Sequence, residues 1–189
     1  MTALPDWLQL SHEGLTAEAY TALPEEVCER IEVVDGAVVV LPAPRRPHQR
    51  LVRHLADAIE ALSRPGLSVA THVDLRIRDT PLLNRRPDIV VYDANTPDDQ
   101  PLRPADCLLV VEVTTTESAT ADHVTKPSEF AAAGIKHYWR VEHTHDSRRR
   151  AVRHAFTATV DTTYTVVGID DHVLVTDKPF ALSIELDSL

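Results

Sequence analysis

Two carboxylates in this sequence stand where a carboxylate is costly. Glu112 is set into the apolar run LLVVEVTTT (108–116), and Asp88 lies one residue into PDIVVYD (87–93). Runs of this composition expect burial on both faces, where an uncompensated charge is expensive. If the two runs pair as an antiparallel hairpin around loop 93–107, with Tyr92 opposite Leu108, then Asp88 falls opposite Glu112. Directly opposed residues have Cβ atoms about 4.5–5.5 Å apart. Carboxylates that close repel each other unless they share a proton or a cation. A divalent cation resolves the conflict, and hard oxygens suit Mg²⁺ or Mn²⁺, whereas zinc more commonly recruits His or Cys. The plainer alternative makes Asp88 a residue after proline at a strand start, and pairs Glu112 with an arginine such as Arg86.

Three further residues are candidates for the same centre. Lys126 opens the segment after the Glu112 strand and, placed near that strand's end, would neutralise a developing phosphoryl oxyanion; otherwise it pairs with Asp122 at i, i+4. His48 stands three residues before Leu51 at a helix start, as a proton carrier, a phosphate donor or a core histidine. Glu32, between Ile31 and Val33, is either an outward strand residue or another carboxylate of the metal site. The remaining histidines show no HExxH or three-ligand zinc spacing and receive no role.

The elements that must position these residues follow from periodicity and turn chemistry. Thr16 caps a short helix over 16–23. ERIEVVDGAVVVL (29–41) reads as a hairpin around Asp35-Gly36. PAPRRP (42–47) breaks the strand, and from Pro47 the apolar residues Leu51, Leu55, Ile59 and Leu62 recur at helical spacing until Arg64-Pro65-Gly66. Residues 68–78 alternate as one strand, with Val69, Thr71, Val73, Leu75 and Ile77 on one side. The strands 87–93 and 107–115 follow, then a helix that Pro127 opens and Gly134 stops. HYWRVE (137–142) and two or three alternating strands to about residue 175 complete a single α/β domain with a mixed sheet over 1–189.

Composition excludes several classes. Five glycines and the absence of GxGxxG or GxxxxGK[ST] argue against a glycine-rich nucleotide loop. Cys28 and Cys107 lack CxxC spacing and read as reduced thiols. With no basic leader and no apolar stretch of spanning length, the chain reads as cytoplasmic and not membrane-bound. The net charge of −10 opposes non-specific binding to polyanions. The arginines nevertheless cluster at 45, 46, 50 and 53, at 85 and 86, and at 148, 149, 150 and 153. Scattered solvated arginines are the alternative to a phosphate-binding surface.

The order E-V-V-D-G, P-H-Q at a helix start, R-P-D-I-V-V, L-V-V-E-V, D-x-x-x-K and A-G-I-K-H-Y-W resembles the Uma family of bacterial proteins named as restriction endonucleases, within the PD-(D/E)XK nuclease superfamily. The resemblance spans roughly residues 16–186, including the closing PFALSIEL. It implies a restriction-endonuclease-like fold, a mixed central sheet flanked by helices with extra β-hairpins at both ends. It also implies a divalent-metal endonuclease acting on nucleic acid, with DNA the expected substrate. Asp88 matches the motif Asp and Glu112 its acidic partner. Thr114 occupies the position where the motif has Lys, and the D-x-x-x-K stretch carries that role to Lys126. His48 and Glu32 match further family positions, and Phe130 replaces a frequent Tyr. Asp88, Glu112 and the Val113 carbonyl, with Glu32, would then hold Mg²⁺ or Mn²⁺, with Lys126 and His48 assisting. An exposed strand in the carboxy-terminal half is the expected seat of a homodimer. The rival expectation is a catalytically inactive nuclease-like module that binds protein or nucleic acid, which the acidic charge and Thr114 favour. DNA against RNA stays open, since aromatics are only 5% and no stacking motif is evident.

Overall fold

A four-stranded sheet, a six-stranded sheet and one long helix organise the fold. The structure is a computed structural model and describes residues 14–114, 124–143, 149–157 and 163–188. Thr16 caps α1 (Ala17–Thr21) by accepting from the Ala19 N–H, and α2 (Glu25–Cys28) leads into β1 (Ile31–Val34). Asp35 and Gly36 both take positive φ, 51° and 82°, which closes the tight turn to β2 (Ala37–Val40). With β4 (Leu75–Arg78) and β5 (Leu83–Arg85), these strands form an antiparallel sheet in the order β2-β1-β5-β4.

The larger sheet runs β10-β9-β8-β7-β6-β3. Its members are β3 (Leu67–Thr71), β6 (Ile89–Asp93), β7 (Cys107–Thr114), β8 (His137–His143), β9 (Arg149–Thr157) and β10 (Thr163–Asp171). Only the β7–β8 pair is parallel, with α4 (Thr125–Ala132) lying between them in the chain; the other pairs are antiparallel. Helix α3 (Arg46–Leu62) has Pro47 in its first turn, where no backbone N–H is needed. It buries Leu51, Val52, Leu55, Ala56 and Ile59 with Ile89, Val91, Leu109, Val111 and Val113 of the sheet. The opposite face packs Val90 and Val110 with Phe130, Ile135 and Tyr138. Burial on both faces explains why β6 and β7 are continuous apolar runs. β11 (Val173–Thr176) and β12 (Leu182–Glu185) form a closing hairpin.

The β6–β7 pairing is antiparallel through Ile89↔Val111, Val90↔Val110 and Val91↔Leu109. Extended by one residue, this register sets Asp88 across from Glu112. Further along it shifts, so Tyr92 meets Cys107 rather than the expected Leu108. Three other expectations need correction. Residues 68–78 form two strands, because His72 adopts a left-handed backbone (φ 52°) and the chain passes from the large sheet to the small one. β5 was not foreseen, being a three-residue strand whose pairing is entirely non-local. Helix α4 begins at Thr125, two residues before Pro127, with the proline tolerated in the first turn.

Candidate metal centre

Asp88 directly precedes β6, and its two oxygens face different neighbours. Oδ2 accepts a hydrogen bond from the Val113 N–H at 2.7 Å. Oδ1 lies 3.0 Å from His48 Nε2 and 3.7 Å from His72 Nδ1. His48 arrives from the first turn of α3. His72 sits at the break between β3 and β4, where its N–H donates to the Asp88 carbonyl at 3.3 Å and its own carbonyl accepts from Arg86. Arg86 also pairs with Asp74 at 2.6 Å. The two imidazoles differ electrostatically. The hydrogen bond with Asp88 raises the His48 pKa against the opposing effect of burial. Burial lowers that of His72 despite the attraction of Asp88.

Glu112 is the buried carboxylate of β7, 8% exposed. Lys126 Nζ reaches its Oε1 at 3.3 Å and Glu32 Oε1 at 3.2 Å, so one ammonium joins a strand of each sheet. Arg85 in turn donates to Glu32 Oε2 at 2.9 Å and grips both oxygens of Glu129 on α4, at 2.7 and 2.8 Å. The Arg86 N–H completes the shell of Glu32 at 3.1 Å. Desolvation pushes the Glu112 pKa above the ordinary carboxylate range, with Asp88 and Glu32 adding to the rise and Lys126 opposing it. Burial opposes the charge of Arg85, but its bonds to Glu129 and Glu32 outweigh that and raise its pKa.

Asp88, Glu112, Lys126, His48 and Glu32, all singled out in the sequence, therefore meet at one end of the β6–β7 pair. Val113 enters through its N–H, which orients Asp88. Glu32 is not an outward strand residue: it is 2% exposed and bonded on both oxygens. Arg86 serves Asp74 and the His72 carbonyl, whereas the observed cation partner of Glu112 is Lys126. The alternative partner Asp122 lies outside the described residues. His72, Arg85 and Glu129 were not anticipated as site residues. An arginine between Asn84 and the run Arg86-Pro87-Asp88 was the available hint for Arg85; nothing local marks His72.

The donor set fits a divalent cation. His48, His72 and Asp88 offer ligand atoms within 4.8 Å of one another. Arg45, just before α3, and Arg46, Arg50 and Arg53 on the half of α3 that carries His48 are exposed. Beside His72, a groove of about 440 Å³ is bordered by Glu25, Glu29, Asp74 and Asp98 together with Arg86.

Comparison with known proteins places these observations in a family. The model of the Uma2 family, described as "Putative restriction endonuclease", matches residues 17–187. Among solved structures, the chain is similar to a "putative nuclease belonging to DUF820" from Anabaena variabilis. The TM-score is 0.65 at 13% identity, covering 91% of this chain and 95% of that one. No curated protein matches. Among the described residues, no helix is long and apolar enough to cross a membrane.

Proposed function

The chain belongs to the Uma2 family, and from that premise we propose that it is a divalent-metal-dependent endonuclease that hydrolyses phosphodiester bonds of nucleic acid, with DNA as substrate. A shared fold does not fix an activity. What supports the reading is the convergence of Asp88, Glu112 and Lys126 at one sheet end with His48 against Asp88. Asp88 and Glu112 would hold Mg²⁺ or Mn²⁺, which when bound supplies positive charge to a phosphoryl oxygen and acidifies a water. Glu32 stands behind Lys126 and, together with Glu112, orients its ammonium. Lys126 is thereby positioned to neutralise charge developing on phosphorus oxygens. His48, whose pKa the hydrogen bond with Asp88 raises, would carry a proton for transfer to a leaving oxygen. The exposed arginines of α3 offer contacts for the flanking phosphates.

A non-catalytic binding module is the second reading. Thr114 where the superfamily motif has Lys and the acidic border of the neighbouring groove favour it. Nicking of supercoiled plasmid with Mn²⁺ separates the two readings. For the enzyme, Lys126→Met slows turnover about 10²–10³-fold, the loss typical of a removed oxyanion partner, and Asp88→Asn abolishes it. Cleavage unchanged in both variants would assign the nicking to a contaminant and leave the module.

A further inference from the structure

His72 is held in a conformation that its own side chain does not favour. A non-glycine residue in the left-handed region costs on the order of 1 kcal/mol or more, and such strain persists only where the surroundings impose it. Here they do: the His72 N–H is tied to the Asp88 carbonyl, and the His72 carbonyl to the Arg86 guanidinium. Arg86 is itself fixed on Asp74. The outcome of this bracing is that His72 Nδ1 points at the same Asp88 oxygen that faces His48 Nε2.

The other Asp88 oxygen is occupied by the Val113 N–H, which fixes the carboxylate plane and directs Oδ1 to the imidazoles. Orientation of a ligand by a neighbouring hydrogen bond is the usual support for a metal site. An ion about 2.1 Å from each donor requires adjacent donors about 3.0–3.4 Å apart. The observed separations from Asp88 Oδ1, 3.0 Å and 3.7 Å, need only small adjustments to meet that. On the far side, Lys126 already sits against both Glu112 and Glu32. The imidazole side is therefore where a cation meets neutral donors and one carboxylate without displacing an ammonium.

We propose that His48 Nε2, His72 Nδ1 and Asp88 Oδ1 form a three-donor site for a divalent first-row transition ion, so that this centre takes Mn²⁺, Co²⁺ or Zn²⁺ in preference to Mg²⁺. Imidazole nitrogen suits Co²⁺ and Zn²⁺ best, and Mn²⁺, though at home among oxygens, accepts it more readily than Mg²⁺, which prefers an all-oxygen shell. The inference rests on the metal-dependent reading above and changes its ligand set: Asp88 stays, and the two imidazoles take the place given there to Glu112. It also moves His48 from proton carrier to ligand whenever the ion is present.

Titration calorimetry of the whole chain with MnCl₂, CoCl₂ and MgCl₂, each alone, tests the assignment. Pulsed electron paramagnetic resonance of the Mn²⁺ complex adds a readout that needs no variant, since a ligating imidazole imprints ¹⁴N coupling on the ion. Mn²⁺ binds at least about tenfold more tightly than Mg²⁺, and the bound ion shows ¹⁴N coupling. His48→Gln and His72→Asn each weaken Mn²⁺ by about tenfold or more, the range expected when a metal site loses a supporting group. Asn is chosen because it tolerates the left-handed backbone, and circular dichroism confirms that each variant is folded. Bound Mn²⁺ without ¹⁴N coupling overturns the proposal, as does affinity unchanged in both histidine variants. If only Asp88→Asn and Glu112→Gln abolish binding, the imidazole site fails while the carboxylate nuclease stands. If binding depends on both histidines but no ion supports cleavage, the site stands and the nuclease reading fails. No binding by the wild type overturns the site outright.

Discussion

His48 and His72 approach the same carboxylate oxygen, yet their surroundings drive them in opposite directions. The hydrogen bond with Asp88 raises His48, and burial lowers His72. In metal-free protein followed by imidazole NMR, His48 should titrate above and His72 below the ordinary value of about 6.5. The consequences for stability have opposite signs. The His48 contribution is complete below its unfolded pKa and is lost as pH rises through its raised folded value. That of His72 is present above the unfolded pKa and is lost as pH falls through its lowered folded value. Asp88→Asn should bring the His48 titration down; a His48 unmoved by that change would break the assignment. At this scale the sequence was informative about carboxylates, because Glu112 and Asp88 violate an apolar pattern that a reader can see. His72 violates nothing: the alternation from Val69 to Ile77 runs straight through it, and its left-handed backbone is imposed by Asp88 and Arg86 from outside.

Elements come together here through Arg85, which ties β5 to β1 by Glu32 and to α4 by Glu129. Arg85→Met leaves two buried or partly buried carboxylates without their guanidinium, a loss of about 3–5 kcal/mol for a broken buried pair. Urea unfolding at pH 7 measures it, and a loss below about 1 kcal/mol, the worth of an exposed pair, would show that water readily replaces the arginine. Local signals were strong where turn chemistry acts alone, as at Asp35-Gly36 and Gly134, both with positive φ. The helical spacing of Leu51, Leu55 and Ile59 likewise located α3, Pro47 marked its start to within a residue, and Arg64-Pro65-Gly66 lies just past its end at Leu62. The antiparallel register near Asp88 also followed from matching two apolar runs. The short strand β5 and the division of 68–78 between two sheets were hidden, since strand partners far along the chain leave no local periodicity.

For the whole molecule, one edge of the larger sheet is β10 among the described residues. It exposes Val166, Val167 and Ile169, each more than half accessible. Exposed apolar strands at an edge invite pairing, and a twofold axis lets one such edge meet its copy. A homodimer through β10 predicts that light scattering gives twice the chain mass and that Ile169→Lys shifts it to the monomer; a monomeric wild type at working concentration would exclude it. The location of the centre has a separate consequence. Glu32 belongs to the small sheet and Glu112 to the large one, and Lys126 bonds to both. The cluster is a rivet between the two sheets, whatever chemistry it performs. Amides of β1 and β5 should therefore exchange with deuterium sooner once Lys126 is neutralised, while those of β7 and β8 keep their protection. A relative that cut no nucleic acid at all would still be selected to retain Glu32, Arg85 and Lys126, because losing them would let its two sheets drift apart.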